Sequence, residues 1–238
     1  MTDTPAETLL AFAAPAPVTL PVAGADLRVP VRRVYCVGRN YAEHAREMGD
    51  DPDRAPPFFF QKNPDDLVVV PEGGADWAYP PMTADLHHEV ELAVVLGRGG
   101  RDIDEDAALG CVWGYGVAVD MTRRDLQGAA KKAGRPWEAG KAFERSAPIG
   151  PLLPASRLGH PARGRIALSV NGAVRQQGDL SEMIWPVPGI IAQLSRLFVL
   201  APGDVILTGT PAGVGAVVRG DVLEAVVEGV GALRLRIV

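Results

Sequence analysis

Cysteine is nearly missing: Cys36 and Cys111 are the only two in 238 residues, and no CxxC spacing joins them. That excludes a disulfide framework and a thiolate zinc site, and it leaves two reduced, packed thiols as the expectation. Positive charge is also in short supply, with 24 Lys and Arg against 29 Asp and Glu and a net charge of −5. The chain therefore lacks the electrostatic footprint of a nucleic-acid or anionic-membrane binder. No apolar run approaches the roughly 18 residues of a membrane span, and Asp3 and Glu7 stand where a secretory leader carries positive charge. A cytoplasmic protein is expected. Helical text is too sparse for strict strand–helix alternation, which argues against a β/α barrel or a doubly wound sheet. Internal repeats, charge blocks and low-complexity tracts are missing as well.

What is present is the composition of one globular core, 47% hydrophobic and 22% charged. The 27 Gly and 21 Pro, about a fifth of the chain, predict many tight turns and hence many short strands. Residues 1–33 read as a small N-terminal appendage with one hairpin between Val18 and Val29, and residues 34–238 as the main domain. Apolar runs predict strands at Val34–Val37, Phe58–Phe60, Leu67–Val70, Val90–Leu96, Val117–Val119, Ile166–Val170, Val205–Leu207, Val222–Val227 and Leu233–Val238. Asn171-Gly172 between two such runs is a hairpin signal. Helices are predicted at Tyr41–Met48, after Asp104, at Arg123–Ala133 before Gly134, and at Pro188–Phe198. The fold class is mainly β with few helices.

The chemistry concentrates in carboxylates. Read as one strand from Leu86 to Leu96, Leu-His-His-Glu-Val-Glu-Leu puts Glu89 and Glu91 on one face by the period of two. Two like charges on one face of a buried-type strand repel each other unless a cation holds them; the bland alternative is a solvated edge strand. A second buried-type strand ends in Asp120, which, with Thr122, is placed to cap the helix that follows. Together Glu89, Glu91 and Asp120 form an all-oxygen set suited to Mg²⁺ or Mn²⁺. His87 and His88 lack the HExxH spacing that zinc would ask for, and are expected around the metal rather than on it. Arg124 and Gln127 share one helix face near the same end, and Lys141 follows; these cations would balance an anionic substrate. On the helix after Gly38-Arg39-Asn40-Tyr41, His44 and Glu47 are three apart and can touch, as a general base and the carboxylate that orients it do; exposed His–Glu pairs of this kind are also common without any function.

Taken in order, Gly38-Arg39-Asn40-Tyr41, His88-Glu89-Val90-Glu91, Asp120-Met121-Thr122 with Arg124 and Gln127, Gly140-Lys141, and Leu207-Thr208-Gly209-Thr210-Pro211 with Gly213-Val214-Gly215 resemble the fumarylacetoacetate hydrolase family. The resemblance runs from about Val34 to the C-terminus. Thr122–Gln127, Gly134–Glu138 and Met183-Ile184-Trp185 tilt it toward the short bacterial fumarylpyruvate hydrolases and acylpyruvases. It implies a rolled, mixed β-sandwich, commonly a homodimer, with Mg²⁺ or Mn²⁺ on Glu89, Glu91 and Asp120. It further implies a His44–Glu47 dyad on a lid segment, and Arg124, Gln127, Lys141 and Thr210 on the 2-oxo acid end of the substrate. The segment Asp50–Pro57 carries no clear family pattern. The implied reaction is C–C hydrolysis of a 2,4-dioxo acid, fumarylpyruvate to fumarate and pyruvate, in aromatic catabolism. Oxaloacetate decarboxylation, 2-oxo acid isomerisation and a non-catalytic metal-dependent binding module are the alternatives.

Overall fold

The computed structural model describes residues 10–47 and 56–238. The centre is a mixed sheet in the order Phe58–Lys62, Arg33–Gly38, Asp204–Leu207, Val90–Leu96, Val112–Val119, Ala147–Ile149, Leu67–Val69, with Leu153–Pro154 paired onto Val112–Val119. Asp204–Leu207 runs parallel to Arg33–Gly38 and antiparallel to Val90–Leu96. A second sheet, Ala173–Asp179, Arg165–Val170, Val222–Val227, Gly231–Ile237 and Ala75–Trp77, forms the other layer. A small third sheet joins Thr122–Arg123, Leu86–His88 and Gly215–Val217. This is the mainly β class that the turn-rich text predicts, in the rolled, mixed arrangement that the family resemblance implies.

The period of two divides the core. Along the central sheet Tyr35, Val37, Val90, Leu92, Val94, Tyr115, Val117 and Val119 face the larger apolar cluster, shared with the second sheet and the helix Val187–Leu197. The alternate residues Val34, Cys36, Ala93, Val95, Ala118 and Val205 face a smaller cluster on the other side. Leu20, from the N-terminal hairpin Thr19–Pro21 and Arg28–Pro30, is fully buried in that smaller cluster, a burial worth ~1.5–3 kcal/mol. Main-chain bonds from Ala23 N to Leu152 O and from Leu152 N to Pro21 O tie the hairpin down. At Asn171-Gly172 both residues take positive φ, +52° and +79°, as a two-residue type I′ turn requires.

Two local expectations need correction. The run from Leu86 to Leu96 is two strands, Leu86–His88 in the third sheet and Val90–Leu96 in the central one, with a corner at Glu89. The corner is held by Gln176, whose Oε1 accepts from Val90 N at 3.1 Å and meets His88 Nδ1 at 2.9 Å. Nor does Asp120 or Thr122 cap the next helix: Arg124–Lys132 begins beyond a short strand, without a side-chain cap, and Thr122 Oγ1 donates instead to Asp120 O. The helix before the acidic strands covers Ala42–Glu47; Met48, Gly49 and most of the segment expected to lack a family pattern lie outside the described residues. Among the described residues no helix is long and apolar enough to cross a membrane.

Candidate active site

Alternation on two neighbouring strands brings the acids together. Glu91 has the parity of Ala93 and Val95, and Asp120 that of Ala118, so both point to the smaller-cluster face. At the corner, Asp120 N donates to Glu89 O at 2.8 Å, which sets Glu89 directly across from Asp120. The result is three buried carboxylates, each offering an oxygen within 4.8 Å of the others.

Cations surround them. Lys141 Nζ lies 2.9 Å from Glu89 Oε2 and 2.7 Å from Asp120 Oδ2. Arg124 donates from Nη2 to Glu89 Oε1, from Nη1 to Gln127 Oε1 at 2.5 Å, and from Nε to His87 Nδ1 at 3.3 Å. Lys141 is delivered by the short helix Glu138–Lys141, which packs so closely on Arg124–Lys132 that a Cβ at Gly140 would stand 2.8 Å from Gln127 N.

Electrostatics divide the acids. Burial alone would raise the Glu89 carboxyl, but Lys141 and Arg124 outweigh it and hold Glu89 below the usual carboxylate range. Burial likewise disfavours the Lys141 ammonium, yet Asp120 and Glu89 leave it raised. Among the described residues no cation is paired with Glu91, and the pull of Lys141 on it is outweighed. Burial, then Asp120 and Glu89, push it well above an ordinary glutamate, although Gly209 N donates to it at 2.7 Å.

A hard divalent cation fits this set. The donors are all oxygen, as Mg²⁺ and Mn²⁺ prefer. Ionised, Glu91 would repel its two acidic neighbours; a proton relieves this in the metal-free protein, and a divalent ion would relieve it in the proton's place. Asp120 Oδ1 is buried and accepts no hydrogen bond, Lys62 Nζ lying 2.9 Å away but off the line a hydrogen bond needs.

His44 is buried to 6% exposure on its short helix, lines the same cavity as Glu89, Glu91, Arg124, Gln127, Lys141 and Thr210, and holds its Nδ1 3.2 Å from Glu47 Oε2. Glu47 is fixed in turn by Gly213 N, 3.2 Å from Oε2. Gly213 takes a φ of +95°, and a Cβ there would stand 1.9 Å from Arg175 O, so only glycine fits this turn. Thr210 lines the cavity, but its hydroxyl donates to Val90 O at 2.8 Å and accepts from Gln176 Nε2 at 2.7 Å. His87 and His88 stand outside the acid cluster: burial, then the neighbouring Arg124, lowers His87, and burial lowers His88 despite its bond to Gln176.

Lys62 and Gln176, which the sequence left unremarked, and Asn40, noted there only as part of the Gly38–Tyr41 motif, complete the site. Lys62, buried at the end of Phe58–Lys62, pairs with Asp120 and donates to Ser146 Oγ at 2.9 Å and to Lys141 O. Asn40 fixes the loop ahead of His44, donating to Thr208 O at 2.8 Å and Trp185 O at 2.9 Å while Trp185 N donates to its Oδ1. Gln176 holds the corner at Glu89.

Comparison with known proteins agrees with this architecture. A crystal structure of fumarylpyruvate hydrolase from Pseudomonas aeruginosa, in complex with Mn²⁺ and pyruvate, is 54% identical, with a TM-score of 0.95 over 97% of this chain and 99% of that one. A 5-carboxymethyl-2-hydroxymuconate delta-isomerase from Mycobacterium smegmatis is 33% identical, with a TM-score of 0.77 over 88% of this chain and 80% of that one. An oxaloacetate tautomerase of Escherichia coli is 43% identical over 207 residues, 87% of this chain and 93% of the relative. Residues 33–238 match the fumarylacetoacetate (FAA) hydrolase C-terminal family, and with the acid cluster, its cations and the His44–Glu47 pair on one cavity, the chain belongs to that family.

Proposed function

We propose that this chain is a metal-dependent hydrolase that cleaves the C3–C4 bond of a 2,4-dioxo acid, fumarylpyruvate, to fumarate and pyruvate. The observation that carries the reading is the buried His44, oriented by Glu47 on the wall of the cavity that Glu89 and Glu91 also line, with Asp120 clustered behind them. A site that only bound a 2-oxo acid would need no such base.

With Nδ1 donating to Glu47, His44 keeps Nε2 to take a proton from water. The hydroxide so formed adds to the C4 carbonyl, and the C3–C4 bond breaks as the tetrahedral centre collapses to a carboxylic acid, which loses its proton to solvent. The electron pair of that bond passes to C3 and is delocalised onto the C2 oxygen as the enolate of pyruvate, and the proton held by His44 returns to C3. Glu89, Glu91 and Asp120 would hold Mg²⁺ or Mn²⁺, which when bound supplies Lewis-acid stabilisation to the 2-oxo acid and its enolate. Lys141, held as an ammonium, adds fixed positive charge beside the developing enolate, and Arg124 with Gln127 orients the carboxylate end. Residues 34–238 carry every group in this scheme, with 1–33 as an appendage; a cytoplasmic homodimer serving aromatic catabolism goes with the reading.

The family relatives named as oxaloacetate tautomerase favour one second reading. Keto–enol isomerisation of oxaloacetate also passes through a 2-oxo acid enolate but needs no attacking water. Purified protein with Mg²⁺ or Mn²⁺ is expected to consume fumarylpyruvate and release pyruvate, and His44→Ala to lower that turnover by ~10²- to 10⁴-fold. Fast oxaloacetate isomerisation with no fumarylpyruvate cleavage would overturn the hydrolase reading in favour of the second.

A further inference from the structure

Arg124 opens the helix Arg124–Lys132 and lines the cavity over the acids. A free arginine has many rotamers to give up before it can close on a carboxylate, so whatever fixes its guanidinium beforehand bears on how well it binds one. Its Nη2 and Nη1 are engaged with Glu89 and Gln127, which line the cavity as well. Its Nε donates to His87 Nδ1 at 3.3 Å, and His87 is not among the residues on the cavity wall.

That contact fixes the state of the imidazole. A guanidinium only donates, so Nδ1 is the bare, accepting nitrogen and the ring hydrogen sits on Nε2. Nε2 in turn meets Asp85 Oδ1 at 2.8 Å, an acceptor placed to hold that hydrogen. The chain of bonds closes on itself: Asp85 O accepts from Arg124 N at 2.8 Å, so the residue that fixes the tautomer is tied to the main chain of the arginine that uses it. The turn before Asp85 is tied to the same helix, Asp125 accepting from Thr83 Oγ1 at 2.7 Å and from Ala84 N at 3.1 Å. Strand pairing brings His87 to this place. Leu86–His88 buries Leu86 and His88, which leaves His87 on the opposite face by the period of two. Its partner strand is Thr122–Arg123, in which Thr122 stands across from His87, two residues ahead of Arg124.

We propose that His87 is the positioning residue for Arg124: its bare Nδ1, held in that tautomer by Asp85, turns the Nη1–Nη2 edge of the guanidinium toward the carboxylate of a 2-oxo acid. This builds on the reading above in which Arg124 holds that carboxylate. Paired N–H groups match a carboxylate only in one plane, and a bond to Nε fixes the plane without occupying the edge formed by Nη1 and Nη2. His87 thus acts through Arg124 and touches no substrate.

Two substitutions divide the imidazole between them. In His87→Asn the amide oxygen comes where Nδ1 stands and can still accept from Arg124. In His87→Gln the amide reaches the position of Nε2, serves Asp85 and leaves Arg124 Nε without its acceptor. Pyruvate is the probe, titrated by calorimetry into the Mn²⁺-saturated protein. His87→Gln is expected to bind it about 3- to 30-fold more weakly than wild type, as an arginine that regains its rotamers would, and His87→Asn within about twofold of wild type. Asp85→Ala frees the ring to turn an N–H toward Arg124 and should fall between the two. In an Arg124→Met background His87→Gln should cost nothing more, because no Nε is left to hold. Thermal melts show whether each variant is folded, and Asp85→Ala, at a half-exposed side chain, carries the test if a change at His87 unfolds the chain. His87→Asn as weak as His87→Gln, unchanged affinity in both His87→Gln and Asp85→Ala, or an equal loss with Arg124 already removed would overturn the assignment. Pyruvate is the head common to cleavage and isomerisation, so these affinities read Arg124 whichever reaction the chain performs. Failure to cleave fumarylpyruvate with the affinities as expected would strike the hydrolase reading alone.

Discussion

Lys62→Met isolates what a buried cation does beside a metal site. The substitution keeps the length and apolar stem of the side chain and removes only the ammonium. Three contacts go with it: the ion pair to Asp120 Oδ1 at 2.9 Å, the bond to Ser146 Oγ, and the bond to Lys141 O. The Lys141 carbonyl is not orphaned, since Ser146 Oγ still donates to it at 3.0 Å. The cost therefore falls on Asp120, fully buried and left with Lys141 as its remaining cation. Removing one partner of a buried pair costs about 3–5 kcal/mol, and the surviving Lys141 pair places this case near the lower figure. In a chain of this size each kcal/mol moves Tm by about 2–4 °C, so in EDTA the variant should melt roughly 6–12 °C below wild type. With excess Mn²⁺ the gap should narrow, because the ion restores positive charge beside Asp120 and binds more strongly where no lysine competes for that carboxylate. The assay is a pair of melting curves for each protein, one in EDTA and one in Mn²⁺. Equal Tm values for the two proteins in EDTA, or the same gap with and without Mn²⁺, would refute this account of Lys62.

Other consequences can be checked with similar means. Glu91 is raised in the folded, metal-free protein by burial and its two acidic neighbours, so the native state holds a proton that the unfolded chain releases above ~4.3. Metal-free stability should then fall as pH rises from ~4.3 toward the raised Glu91 value, and Glu91→Gln should flatten that slope in melts recorded in EDTA. Since the ion displaces the same proton, Mn²⁺ affinity should rise with pH, by up to about tenfold per unit below the raised value, as titration calorimetry would read. Gly213→Ala, which forces a Cβ against Arg175 O and moves the donor that fixes Glu47, should lower kcat on fumarylpyruvate more than it weakens Mn²⁺ binding; equal losses would place Gly213 in the fold rather than in the support of the His44–Glu47 pair.

How far the site was legible depended on the range over which each residue's partners are set. Glu89, Glu91 and Asp120 stood out because acids in buried-type strands break a local rule, and His44 with Glu47 because three residues of helix suffice to join them. Lys62 did not. It ends an aromatic run, and its approach to Asp120 depends on the order of strands across the central sheet, which no local pattern encodes. The corner at Glu89 was hidden for the same reason: Leu86 to Leu96 is continuous as text, and the break exists because Gln176, from a hairpin far along the chain, takes up the main-chain N–H of Val90. The two-residue strand Thr122–Arg123 and the three-residue strand Gly215–Val217 have too little sequence to show a period; pairing with Leu86–His88 makes them strands. Apolar runs, such as Val90–Leu96 and Val222–Val227, carried their own evidence and appear with those bounds.

The burial of Val90–Leu96 along its whole length bears on how the molecule comes apart. Its amides lie in the middle of the central sheet, where hydrogen exchange requires global unfolding, whereas the six-residue helix Ala42–Glu47 has few internal hydrogen bonds to lose and can open by itself. Glu91 belongs to the first class and His44 to the second. Mild denaturant or warming should thus separate two events, with fast exchange and loss of turnover around His44 coming before release of the ion. A preparation stressed in this way would still hold its metal and its far-UV spectrum while no longer activating water, and it would recover on cooling without any metal being added back.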